Sequence, residues 1–232
     1  ILSVIAYGKP EALVKKAISN SVKVYVPDVG SASAVAIANV AGRTFLLTND
    51  HVCQMTRGRE SLFGYAAPLN HHSMTLITAS GVVAAAIVEV TTGATRDSDN
   101  GGDVDDICLI STGEFIPATS IEEKEPELGS PIFSVSAPQG IFPMIHDGRI
   151  GSYEGESIVA TTLGISPGSS GGGVFDKDSG KMIGLVSSVL SDELIRGPSV
   201  VFIMRTSRLH VFLAKNLKRI INRYEHKTTK AR

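Results

Sequence analysis

Ser169 and Ser170 lie in the run Gly164-Ile165-Ser166-Pro167-Gly168-Ser169-Ser170-Gly171-Gly172-Gly173, where small residues are packed most densely. Glycine permits positive φ and close backbone approach. The run therefore fits a flexible linker, a tight turn, or a loop that holds a serine and aims backbone N–H groups at a bound molecule. A serine hydroxyl is a weak nucleophile at neutral pH. It needs a base to take its proton, and the base needs an acid to orient it. His51 follows the strand-like stretch 44–48, and Asp106 heads the short apolar run Ile107-Cys108-Leu109-Ile110. With Ser170, these residues supply the types needed for acyl transfer. Asp103 and Asp105 compete with Asp106, but the apolar run starts directly after Asp106. His71, His72, His146, His210 and His226 have no such setting and are expected at the surface or in loops. The acidic stretch 97–103 lacks the closing Glu of a calcium loop and is expected to be solvated.

The chain has 232 residues, enough for one large β domain or two small ones. Hydrophobic residues make up 43% and charged residues 19%, ordinary values for a globular protein. No run of eighteen apolar residues predicts a transmembrane helix. The net charge of −1 is unevenly spread. From 207 to 232 there are eight Lys/Arg and one acid, which leaves 14 basic and 22 acidic residues in the body. The body, at −8, is a poor partner for nucleic acid; the tail, at +7, leaves contact with nucleic acid or an anionic membrane open. Two cysteines, Cys53 and Cys108, are too few for a disulfide framework, and reduced core thiols in a reducing compartment are the expectation. The start, Ile1-Leu2-Ser3-Val4-Ile5-Ala6, has no basic leader, so no signal peptide is expected.

Stretch 10–19 has a helix pattern with Pro10 in its first turn. Alternating or β-branched runs at 22–26, 33–40, 44–48, 76–78, 82–90 and 106–110 predict a first series of strands. An acidic connector at 121–129 is the best internal boundary. A second series follows at 131–136, 148–153, 157–162, 173–175, 182–190 and 200–204. Many short strands between turns predict an all-β sandwich or barrel. From Leu209 the apolar residues recur every three or four positions, with Lys and Arg on the other face, which predicts an amphipathic helix.

The stretch 30–52, with Gly-Ser-Ala-Ser-Ala-Val and Phe-Leu-Leu-Thr-Asn-Asp-His-Val, resembles the first hairpin and histidine strand of chymotrypsin/trypsin-like serine proteases, especially the Htr-type branch and viral trypsin-like peptidases. Asp106-Ile107-Cys108-Leu109-Ile110 resembles their aspartate strand. Leu128-Gly129-Ser130-Pro131, Ala137-Pro138-Gln139-Gly140 and Gly148-Arg149-Ile150 resemble the opening of the second barrel. Stretch 166–172 resembles the nucleophile loop, and Ile183-Gly184-Leu185-Val186-Ser187-Ser188 the strand behind it. The order His, Asp, Ser is the chymotrypsin order.

The resemblance implies an all-β fold of two packed six-stranded antiparallel β-barrels, with a short N-terminal helix and a C-terminal helix. The expected divisions are an N-terminal arm over 1–30, the first barrel over 31–120, the second over 121–207 and a basic helix over 208–232. It implies a serine endopeptidase with the triad His51, Asp106 and Ser170, an oxyanion hole from the N–H groups of Gly168 and Ser170, and a bond from Ser187 to Asp106. No metal or cofactor is implied; a protein or peptide is the expected substrate. Ser169 stands where secreted trypsins carry an activating Asp, so no trypsin-style zymogen switch is expected. By position, Gly164, Ser187, Val189 and Ser199 would form the S1 pocket. None is charged, which implies a small or medium apolar P1 residue; viral polyprotein processing is one context that fits. The alternative is a non-catalytic module that binds through the cleft or the basic helix.

Overall fold

Strands whose side chains alternate between two faces can bury one face inside a barrel and offer the other to a neighbour. The computed structural model describes residues 9–57, 74–92, 106–155, 157–161, 163–190 and 200–230. Helix α1 (Lys9–Asn20) leads into strands β1 (Ser21–Val26), β2 (Gly30–Val40) and β3 (Arg43–Thr48). A short helix α2 (Asp50–Gln54) follows, then β4 (Met74–Thr78), β5 (Val83–Thr91) and β6 (Cys108–Thr112). The second series is β7 (Pro131–Ser136), β8 (Met144–Glu154), β9 (Ser157–Thr161), β10 (Gly173–Asp176), β11 (Met182–Leu190) and β12 (Val200–Arg205). Helix α3 (Thr206–Lys230) comes last. No helix among the described residues is long and apolar enough to cross a membrane.

The strands close into two antiparallel barrels with the same order. The first is β1-β2-β3-β6-β5-β4, and the second is β7-β8-β9-β12-β11-β10. Closure removes the unpaired edges an open sheet would leave. This is the two-barrel, all-β fold expected from the sequence. β1 belongs to the first barrel and begins ahead of the boundary drawn at 31.

Each barrel has its own filling, and a third cluster joins them. Val22, Val24, Leu46, Leu76 and Ile110 fill the first barrel. Ile132, Ile158, Val174, Ile183 and Ile203 fill the second. Between the barrels lie Val35, Phe45 and Leu47 from one side and Phe133, Phe175 and Leu185 from the other. β3 shows the alternation directly: Leu46 points into its own barrel, while Phe45 and Leu47 point into the seam. Phe133 and Phe175 stack with ring centroids 5.3 Å apart.

Helix α3 packs against this seam through Leu209, Phe212 and Ile220, while Lys215, Lys218, Arg219 and Arg223 are exposed. Tyr224 ties its far end to the first barrel. Its hydroxyl donates to Glu89 Oε1 (2.5 Å), and the Arg43 guanidinium lies 4.9 Å from its ring centre. Burial raises the Tyr224 pKa above the ordinary phenol range, and the bond to Glu89 adds to the rise. The packing predicts a contrast between neighbours on α3. Phe212→Ala removes a side chain only 6% exposed and should cost about 3 kcal/mol in urea unfolding. Val211→Ala, at a site 65% exposed, should stay within about 0.5 kcal/mol of the unaltered protein. Equal effects would contradict the docking of α3.

Candidate active site

Strand β3 ends at Thr48, and the chain turns at Asn49 into α2. His51 is therefore in a helical turn rather than directly on the strand. Its backbone N–H donates to Asp106 Oδ1 (2.9 Å), and its ring Nδ1 lies 2.7 Å from Asp106 Oδ2. An ionised carboxylate can only accept, so in the neutral ring the tautomer with hydrogen on Nδ1 fits this contact and leaves the Nε2 lone pair facing away from Asp106. Asp106 is fully buried, whereas the His51 side chain is 31% exposed, so the ring spans from the interior to the cleft. Asn49 Nδ2 donates to the Asp106 carbonyl (3.1 Å) and fixes the strand end that carries it.

The cysteines correct the sequence expectation. Cys53 and Cys108 form a disulfide with Cα atoms 6.5 Å apart. Each lies two residues beyond a member of the His–Asp pair, so the bridge ties α2 to β6 where the pair meets. Residues 55 apart in sequence give no local sign of pairing; the barrel brings them together. The bridge also removes the thiol argument for a reducing compartment.

On the second barrel, the loop before β10 carries the serines. Its internal N–H groups are largely used. Ser169 N donates to Ser166 O (3.0 Å), Gly171 N to Val186 O (2.9 Å) and Gly172 N to Ser169 O (2.9 Å). Gly168 N–H and Ser170 N–H have no hydrogen-bond partner among the described residues. Their direction follows from peptide planarity, since C=O and N–H point opposite ways in a trans peptide. Gln139 N donates to Pro167 O (2.8 Å), so the Gly168 N–H faces away from Gln139. Gly168 has φ +102°, and a Cβ there would collide with the Ala137 carbonyl oxygen. Only glycine fits. Ser169 is buried, and its Oγ accepts from Ser136 Oγ (3.3 Å) and Ser166 N (3.4 Å).

His51, Gly168 and Ser170 line one cleft of about 600 Å³. No hydrogen bond joins the Ser170 hydroxyl to His51 among the described residues; the two share the cleft. Ile165, Val186, Ser187 and Ser188 form a further wall, and no Asp, Glu, Lys or Arg is among the lining residues described. The register of β11 against β12 shifts between Val186 and Ser188, so Ser187 lies at a bulge. Its Oγ is buried with no partner among the described residues, so the expected bond to Asp106 is not formed. Gly164 is exposed beside the cleft, and a Cβ there would meet His146 Nδ1 at 2.9 Å. Burial lowers the His146 pKa below the ordinary imidazole range. The Val189 side chain, Ser199, His71, His72 and the stretch 97–103 lie outside the described residues.

The sequence reading missed three supports of this site: the disulfide, the Gln139 turn and Ser33. The Pro138-Gln139-Gly140 run carried a turn signal. Ser33 was part of the small-residue strand, and nothing local distinguished it.

Two closed six-stranded barrels with the loops of both at one cleft define the architecture of chymotrypsin-like proteases. The model of the trypsin-like peptidase domain matches residues 32–185. The chain belongs to this family: it is a trypsin-like serine peptidase domain. No curated protein matches this chain. Among solved structures, it is similar to a serine endoprotease from Yersinia pestis (TM-score 0.63, 17% identity), covering 92% of this chain and 66% of that one. It is similar to an HtrA-type protease, AlgW, with a tripeptide (TM-score 0.65, 18% identity), covering 89% of this chain and 62% of that one. An inactive mutant form of Rv3671c from M. tuberculosis H37Rv matches at TM-score 0.62 and 16% identity, covering 93% of this chain and 95% of that one. The chain thus spans slightly less than two thirds of the first and of the HtrA-type protein. These likenesses concern the fold.

The bridge gives a direct chemical prediction. Denatured without reductant, the protein should show no thiol reactive with Ellman's reagent, and two per chain after reduction. A Cys53→Ala/Cys108→Ala variant should lose about 4 kcal/mol of stability, from a closed loop of 55 residues.

Proposed function

We propose that this domain is a serine endopeptidase that cleaves peptide bonds through an acyl-enzyme on Ser170. One observation carries the reading. Gly168 N–H and Ser170 N–H, both without a partner among the described residues, lie beside the Ser170 hydroxyl, and Ser170 shares a cleft with the aimed His51 ring.

The chemistry follows from those atoms. Ser170 Oγ attacks the carbonyl carbon while its proton passes to His51 Nε2. A carbon–oxygen bond forms, and the carbonyl electron pair becomes an oxyanion held by the two free N–H groups. Asp106 stabilises the imidazolium through Nδ1–H without taking its proton. The intermediate collapses, the carbon–nitrogen bond breaks, and His51 returns the proton to the leaving amine. Water repeats the sequence and releases the acid. No step needs a metal or cofactor. None of the described residues that line the cleft is charged, which supports a small or medium apolar P1 residue; Ser187, which lines it, and Gly164, Val189 and Ser199 are the candidate surroundings of that residue. Ser169, buried and bonded to neutral partners, supports a loop that forms without a trypsin-style activating ion pair.

Incubation with a diverse peptide library, followed by sequencing of the cut ends, should reveal internal cleavage after uncharged residues. Ser170→Ala should abolish both cleavage and fluorophosphonate labelling, a loss of about 10⁶-fold in kcat by analogy with other serine proteases, with the melting temperature nearly unchanged. Labelling that survives in Ser170→Ala would refute the assignment. Cleavage chiefly after Lys, Arg, Asp or Glu would overturn the P1 reading alone.

A further inference from the structure

The serine loop belongs to the second barrel, yet much of what holds it comes from the first. Ser33, in β2 and 1% exposed, reaches across the seam with its hydroxyl and its backbone N–H. Its Oγ donates to Gly168 O (2.9 Å) and accepts from Ala137 N (2.9 Å). Its N–H donates to Ser170 O (2.8 Å). Its own carbonyl accepts from Thr48 Oγ1 (2.8 Å), at the strand end that leads to His51. One small residue thus bridges the loop and the turn that braces it through its side chain, and the strand end leading to the histidine helix through its carbonyl.

We propose that Ser33 is the positioning residue that sets the direction of the Gly168 N–H, a role that rests on the catalytic reading above. The Pro167–Gly168 peptide is oriented by Gln139 N–H, and Gln139 has φ +52°, a sparsely populated region for a residue with a side chain. That turn persists only if its surroundings hold it. Two first-barrel groups do so: Ser33 Oγ holds Ala137 N–H at its start, and Lys23 Nζ donates to Gly140 O (2.8 Å) at its end. Without the Ser33 hydroxyl, the Ala137 N–H and the Gly168 C=O each lose a buried partner. An unsatisfied buried group is costly enough to drive local rearrangement. Rotation of the peptides beside Gly168 is the smallest movement that finds new partners, and it takes the Gly168 N–H out of line. The consequence is a loop that keeps its nucleophile but loses one oxyanion donor.

The test measures loop order and chemistry separately in the full chain. In Ser33→Ala, hydrogen–deuterium exchange over 164–172 should speed up by roughly tenfold or more, while β7 in the same barrel keeps its protection. The fluorophosphonate labelling rate should fall about ten- to a hundredfold, since removal of one such donor costs about 10²–10³. On the best peptide from the library, kcat should fall with KM unchanged, the pattern of an interaction made only in the transition state. Lys23→Met removes the second tie from a half-buried site and should move exchange and labelling in the same direction by less; it carries the test if Ser33→Ala does not fold. If the unaltered protein does not label, the catalytic reading fails, while faster loop exchange still supports the positioning role. Unchanged exchange in the folded variants, or, where the unaltered protein labels, faster exchange with the labelling rate unmoved, overturns the proposal.

Discussion

A buried carboxylate is the constraint on which the end of the first barrel depends. Asp106 is fully enclosed, and an unpaired charge there would cost several kcal/mol. Both of its oxygens are satisfied by one residue, the backbone and ring of His51. The chain leaves β3 and turns at once into a helix, and there the N–H and Nδ1 of one histidine reach the same carboxylate. Asn49 and the Cys53–Cys108 bridge secure the two segments on either side. The pair fixes which nitrogen carries the hydrogen, and so which one is left to accept a proton.

The second half of the site is held to the first by the seam. Both barrels close in the same strand order, and the residues that fill them differ from those that join them. Phe45 and Leu47 meet Phe133 and Phe175 there, while α1 and α3 cover the join through Ala17, Leu209 and Phe212. A densely packed seam of this kind does not deform gradually. It holds the relative position of His51 and the serine loop without a direct bond between them, and Ser33 adds a polar link at the place where that position matters most.

Much of this was legible in the sequence, for identifiable reasons. The strands appear because alternation is clear over 22–26 and 33–40, and short apolar runs bounded by turn signals mark 44–48 and 131–136. The histidine, aspartate and serine appear because each sits in a distinctive local setting. Helix α2 did not, because five residues are too few for helical periodicity. The disulfide did not, because pairing across 55 residues is decided by barrel closure. Ser33 looks like any small polar residue in a small-residue strand, and its role depends on partners more than a hundred positions away. Ser187 was expected to bond Asp106; instead it lies at a bulge, with its hydroxyl unpartnered among the described residues.

If Ser170 is the nucleophile, a serine-directed reagent must leave its covalent adduct there. The protein is treated with a fluorophosphonate, digested, and the modified residue identified by mass spectrometry. A single adduct on Ser170, lost in His51→Ala, is the expected result. An adduct on Ser169 or at another residue, or none in the unaltered protein, would contradict it.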